Sequence, residues 1–188
     1  MKKIMFNEHF GLQQSVLDGT KTMTRRIVPE GILRMARLEV NVHGGDIVER
    51  IKDHTPLCYL DEVAIAQPYK DICLTDPIFF EGMRNEAGWK NKMFVIGRYM
   101  PHRIRITNIK AERLQNISDE DAMREGIRQS IVEYGDKKIV QWTYFGEKIT
   151  TWFDSPREAF AALIDRISGK GTWQRNPWVY AYEFELLK

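Results

Sequence analysis

The stretch Arg103-Ile104-Arg105-Ile106-Thr107 alternates charged and apolar side chains without a break, and few local patterns constrain a fold more tightly. Successive side chains of a strand point to opposite faces, so both isoleucines fall on one face and both arginines on the other. Such a strand is half-buried and requires a sheet with a core on one side. A second alternating run closes the chain: Val179, Ala181, Glu183 and Glu185 interleave with Tyr180, Tyr182, Phe184 and Leu186. Glu62 to Ala66 reads as a buried strand ended by Pro68, and Ile4 to Phe6 as a short opening strand. Thr22 to Val28, rich in β-branched and basic residues, reads as a strand broken by Pro29 and Gly31.

Helix signals lie between these strands. Asn7 is placed to cap a helix running to Asp18, with Phe10, Leu12, Val16 and Leu17 on its apolar face and Gly19 to end it. Ile117 to Gly126 carries an N-cap at Ser118, an acid three residues on at Asp121, acidic residues Asp119 and Glu120 for the positive end of the helix dipole, and a glycine stop. Ser155-Pro156 opens another helix with proline at its first position, and Phe160, Leu163, Ile164 and Ile167 form its apolar face. Ile131 to Thr151 reads as a hairpin with turns near Gly135-Asp136 and Phe145-Gly146. Residues 31–60 show no clear period, and Asp71 to Lys92 reads as an irregular excursion. The expected fold class is α+β, a small mixed β-barrel with peripheral helices, inserted loops and a hairpin.

At 188 residues the chain fits one domain, 1–188, with a sizeable core and no need of staples. Its 43% hydrophobic and 29% charged residues are those of an ordinary globular protein, and its 11% aromatic content excludes a largely disordered chain. Net charge is only +2, but five basic residues against Glu30 lie between Lys21 and Arg37, and eight against Glu86 and Glu112 between Arg84 and Arg113. Such local excess attracts phosphate, or forms a solvated basic face. Cys58 and Cys73 have no metal or redox spacing, which fits a reducing compartment. Only three apolar residues follow Met1-Lys2-Lys3, too few for a secretion signal, and no apolar run is long enough to span a bilayer. A cytoplasmic protein with no membrane partner is expected. His9, His43, His54 and His102 never form a close pair, and phosphate-loop, dinucleotide and nucleophile-elbow motifs are missing, so neither metal nor cofactor is expected.

The stretch that carries chemistry is Gly19-Thr20-Lys21-Thr22-Met23-Thr24-Arg25-Arg26. In a strand Thr24 and Arg26 point one way and Arg25 the other. A lysine whose pKa is lowered by burial or by Arg26 can serve as a base toward the Thr24 hydroxyl, with a carboxylate to steer it. A basic turn that binds phosphate or faces water has the same spacing.

A helix followed by this octapeptide resembles the ASCH-domain motif GxKxxTxR. Further stretches resemble the longer, phage-associated ASCH proteins in the same order: Tyr59-Leu60-Asp61-Glu62-Val63, with Leu60 where the family usually has glycine; Met100 to Ile106 followed by Glu112 to Ser118; and Gly171-Thr172-Trp173 with Asn176-Pro177-Trp178-Val179. The resemblance implies a PUA-like β-barrel with insertions near 31–58, 67–100 and 127–152, and RNA or a modified nucleoside as partner. The small bacterial branch of the family removes acyl groups from N4-acylated cytidine. Carried over by motif, its catalytic set falls on Lys21, Thr24 and Glu125. Gly19, Lys21, Arg25, Arg26, Arg103, Arg105 and Trp173 are the further candidates for contact with nucleic acid or ligand, while Trp178 is expected in the core. Three readings follow: a silent RNA- or nucleoside-binding module using a basic cleft, an amidohydrolase, and a phage protein-interaction module working through an apolar patch on the 127–152 hairpin.

Overall fold

The computed structural model describes residues 1–72, 81–134, 137–145 and 151–187. Five strands form one mixed sheet in the order β1-β3-β4-β7-β2. They are β1 (Lys3–Ile4), β2 (Met23–Ile27), β3 (Glu62–Ile65), β4 (Arg103–Arg113) and β7 (Trp178–Leu187). β1 runs parallel to β3, and every other neighbouring pair is antiparallel. The mixed α+β class is therefore as expected, but the sheet is open. Among the described residues β1 and β2 are its two edges, and no ladder joins them. β1 is only two residues long, so closure would have little strand to pair with. The edges approach through a side chain instead: Arg26 Nη2 donates to the Met5 carbonyl at 2.6 Å.

The longest pairing, β4 with β7, shifts register between Ile106 and Asn108. Ile104 and Ile106 are buried before the bulge, Ile109 and Ala111 after it. An extra residue in one strand moves the apolar set to the other parity, which keeps the same face buried. β7 departs from simple alternation as well, because Val179, Tyr180, Ala181 and Tyr182 are all buried. The cause is a helical pair in the segment without clear period. α2 (Glu30–His43) and α3 (Ile47–Asp53) cover that face. The Tyr180 hydroxyl donates to the Ile51 carbonyl at 2.9 Å, and Tyr182 shares a 2.7 Å hydrogen bond with the Thr55 hydroxyl.

The first helix is shorter than its sequence suggests. Asn7 caps a preceding turn, and α1 proper (Leu12–Leu17) begins after Gly11, whose φ is 60°. Among its described residues segment 67–100 contributes α4 (Tyr69–Ile72) and three short 3-10 turns, and Tyr69, Ile72, Val95 and Met100 pack with Ala64 and Ala66 into a second small core. Since Val63 and Ile65 belong to the main core, β3 is buried on both faces. α5 (Asp119–Arg124) keeps the expected cap, with Ser118 Oγ accepting from Asp121 N at 3.1 Å. The hairpin is β5 (Arg128–Tyr134) with β6 (Lys137–Thr143). The turn at Gly135-Asp136, Gly146 of the second turn, and Cys73 lie outside the described residues. α6 (Pro156–Ser168) and α7 (Thr172–Arg175) lead into β7. No described helix is long and apolar enough to cross a membrane.

Leu60 has φ 65°. Left-handed backbone is costly for a residue with a Cβ. The turn is held by Asp61, whose N–H donates to the Cys58 carbonyl and whose carboxylate accepts from Cys58 N at 2.7 Å.

Candidate functional site

The turn after α1 sets the site. Gly19 ends the helix with φ 75°, a conformation that costs glycine little. Thr20 Oγ1 and the Lys21 backbone N–H then both donate to the Ser15 carbonyl, which turns Lys21 inward. The C-terminal end of α5 meets it there. Thr22 N–H caps the Arg124 carbonyl at 3.0 Å and Lys21 Nζ caps the Glu125 carbonyl at 2.7 Å. A cation suits the negative end of a helix dipole. Gly126 must follow: its φ is 104°, and a Cβ there would lie 3.3 Å from Leu12 Cδ2 and 3.7 Å from Lys21 Cδ.

Lys21 is 2% exposed. Its ammonium donates to the Met23 carbonyl at 2.7 Å, the Glu125 carbonyl at 2.7 Å and Glu125 Oε2 at 2.6 Å. An ammonium has three donors, and all three are used. Burial pushes its pKa below the ordinary lysine value; Glu125 opposes that shift, while Arg26 and Arg25 add to it. The short Nζ···Oε2 contact of 2.6 Å joins the two groups directly.

Arg25 is buried too and gathers three carboxylates. It donates to Glu112 Oε1 through Nε (3.1 Å) and Nη2 (2.7 Å), to Asp121 Oδ2 (3.0 Å) and to Glu125 Oε1 (3.3 Å). Each Glu125 oxygen thus has its own cation, and the carboxylate is fixed in place. Asp121 also bonds Arg124, which reaches Glu183 at 2.8 Å.

A cavity of about 580 Å³ opens beside this pair. Consecutive residues Thr24, Arg25, Arg26 and Ile27 all line it, so it runs along the free edge of β2 rather than over one face. The opposite side is Met5 to Glu8, directly after β1. Phe160, Leu163, Ile164 and Ile167 of α6 form an apolar wall with Leu12, Leu114 and Val179. Phe6 faces the cations, its ring centre 5.9 Å from Lys21 Nζ and 5.7 Å from Arg26 Cζ. The Thr24 hydroxyl has no hydrogen-bond partner among the described residues, and Thr24 lines the cavity with Lys21 and Glu125.

The structure thus brings together Lys21, Thr24, Glu125, Arg25 and Arg26, and leaves four other candidates outside. Gly19 shapes the turn without lining the cavity. Arg103 and Arg105 do not border it either; Arg105 bonds Glu62 at 3.2 Å and Glu185 at 3.3 Å, and Arg103 lies 3.9 Å from Glu62. Trp173 packs edge-on against Phe160 with Arg157 over its ring. Trp178 is half-buried against the core beneath Arg113. Sequence reasoning did not place Glu112, Asp121 and Phe6 at the site: Asp121 read as a helix-start acid and Glu112 as the first residue of a family-like stretch, and neither pattern shows the contact with Arg25, whereas the apolar face of α6 was visible as a core signal. Among the described residues no group of three or more His, Cys, Asp or Glu could hold a metal ion. No family model, curated protein or solved structure matches the chain.

Proposed function

We propose that this chain is an ASCH-type amidohydrolase on a PUA-like fold, acting on the acylated exocyclic amine of a cytosine-type nucleoside. One observation carries the reading: the buried Lys21–Glu125 pair and the unpartnered Thr24 hydroxyl line a single cavity of nucleoside size. Leu60 adds support, because it holds left-handed backbone where the family has glycine. The phosphate-binding reading has less behind it, since the Lys21 and Arg25 side chains are each 1% exposed and saturated with acceptors.

The chemistry balances within the three residues. Transfer of the shared proton from Lys21 to Glu125 gives a neutral amine and a neutral carboxyl, with no change in net charge. The Met23 and Glu125 carbonyls still hold the two remaining N–H groups. The neutral carboxyl then turns from Nζ toward the leaving amine, and the lone pair it uncovers takes the Thr24 proton as Thr24 Oγ1 attacks the amide carbonyl. The Glu125 carboxyl then protonates the leaving amine as the C–N bond breaks. Lys21 ammonium and Glu125 carboxylate are thereby restored; the proton then passes to Glu125 a second time, the Lys21 amine takes a proton from the water that attacks the threonine ester, and the Glu125 carboxyl returns one to Thr24 Oγ1 as the acyl group leaves as a carboxylic acid.

The test is release of cytidine from N4-acetylcytidine by wild type, Thr24→Ala and Glu125→Gln. Turnover by wild type with both variants at background is expected. Equal rates in wild type and Thr24→Ala would remove threonine from the mechanism.

The interaction reading retains one specific observation, the exposed Ile131, Ile139 and Val140 on the hairpin. It concerns a different surface, and Ile131→Glu with Val140→Glu tests it by reducing association in light scattering without touching turnover.

A further inference from the structure

We infer that the pocket takes an anionic ligand, a nucleotide carrying a phosphate monoester rather than a neutral nucleoside, with Arg26 as the counter-charge. This rests on the amidohydrolase reading above for the identity of the base. The charges around the site are otherwise matched. Lys21, Arg25, Arg124 and Lys110 form one connected ion-pair chain with Glu125, Glu112, Asp121 and Glu183. That is four cations against four carboxylates. Lys92, on the rim, is paired with Glu8 at 2.8 Å. Among the described residues Arg26 is the lining cation with no carboxylate within 4.0 Å, and its one hydrogen bond goes to the Met5 carbonyl at 2.6 Å.

A guanidinium has five N–H donors and stays charged at any working pH. Arg26 therefore presents unspent donors to the cavity and a charge that Glu125 offsets only from beyond direct ion-pair distance. Burial pushes the Arg26 pKa below the ordinary arginine value, and the charges of Glu125 and Tyr182 oppose that shift. A neutral carbonyl would satisfy donors but leave the charge unmatched. A phosphate does both, and its oxygens fit the fork in a bidentate manner. Placement agrees. Thr24 and Arg26 are two residues apart on β2, ~7 Å along the strand, and the arginine side chain extends that reach. An anion at Arg26 is thus remote from the bond Thr24 attacks, as the phosphate of a nucleotide is remote from the exocyclic amine of its base. Lys92, with Nζ also on the Phe6 carbonyl at 2.5 Å, keeps the opposite rim in place.

The experiment is calorimetric titration of the full chain with cytidine and with cytidine 5′-monophosphate, which needs no turnover. The monophosphate should bind wild type about tenfold or more tightly than cytidine, the margin of one added charge-assisted hydrogen bond. That ratio should collapse toward unity in Arg26→Gln and be partly kept in Arg26→Lys, which retains the charge and can still reach Met5. Equal binding of the two ligands to wild type, or a ratio unchanged in Arg26→Gln, would overturn the assignment. N4-succinylcytidine, with its carboxylate on the acyl group, is the third arm. A stronger Arg26 dependence for it than for the monophosphate would place the anion on the acyl side and refute the phosphate. Hydrolysis of N4-acetylcytidine and its 5′-monophosphate is measured alongside: an Arg26-dependent preference without hydrolysis sinks the proposed activity and leaves the anion subsite standing.

Discussion

Replacing Arg25 with methionine removes the hub of the charged cluster while keeping comparable side-chain volume. The Arg25 side chain is 1% exposed, and its partners Glu112, Asp121 and Glu125 are 18%, 19% and 5% exposed. Breaking a buried ion pair by removing one partner costs about 3–5 kcal/mol, because the other charge is left uncompensated. Two features place this case at the low end: Glu125 keeps Lys21, and Glu112 and Asp121 can recruit water. A loss of about 3 kcal/mol is expected, which for a domain of this size lowers Tm by about 6–12 °C. Arg105→Met is the matched control. It also removes an arginine from two carboxylates, but these are 42% and 55% exposed, and such surface pairs contribute about 0–1 kcal/mol. Urea unfolding and thermal melting of both variants decide the matter. If Arg25→Met lies within about 1 kcal/mol of Arg105→Met, burial does not set the strength of this cluster and the reasoning fails.

Other perturbations have defined outcomes. Leu60→Gly should stabilise the fold by about 0.5–1 kcal/mol, since relief of left-handed strain outweighs glycine's greater chain entropy and Leu60 is 56% exposed with little packing to lose; a lower Tm would contradict this. Gly126→Ala should lower both stability and turnover, because the new Cβ is strained at φ 104° and crowds Leu12 beside Lys21; a melt and a cytidine-release rate unchanged from wild type would count against the packing described. Hydrogen bonds from Trp173 and Gly171 N–H hold the Asp165 carboxyl below its ordinary value of 3.8. A depressed folded pKa gives stability that is present above the unfolded value and lost as pH falls through the folded one. Asp165→Asn should therefore flatten the acid limb of a Tm-against-pH curve below about pH 4; identical acid limbs would refute the assignment.

The legible parts of the fold were those governed by local rules. Ser118 and Ser155 cap helices because short polar side chains at helix starts satisfy orphan N–H groups, which the sequence displays directly. β4 was visible only to Thr107, because the bulge before Asn108 reverses the parity of its apolar residues and breaks the alternation that marks a strand. α2 and α3 gave no clear period, and their cover over Tyr180 and Tyr182 is a tertiary fact. At the site, Lys21, Thr24 and Glu125 were legible through a resemblance and its ordered motifs. The burial of Lys21 and Arg25 was not, since the Arg25 partners Glu112 and Asp121 arrive from β4 and α5 and the Lys21 partner Glu125 from the end of α5. The pairing of Arg103 and Arg105 with Glu62 and Glu185 was not legible either, since those carboxylates come from the neighbouring strands β3 and β7.

The central claim is that Thr24 becomes acylated in a cavity where Lys21 and Glu125 exchange one proton. Intact-protein mass spectrometry after rapid acid quenching of a reaction with N4-acetylcytidine tests it most directly. The account predicts a species one acetyl group heavier, mapped by peptide sequencing to Thr24 and missing in Thr24→Ala. Cytidine release by wild type with the acetyl group mapped to another residue, or with Thr24→Ala as fast as wild type, would contradict it.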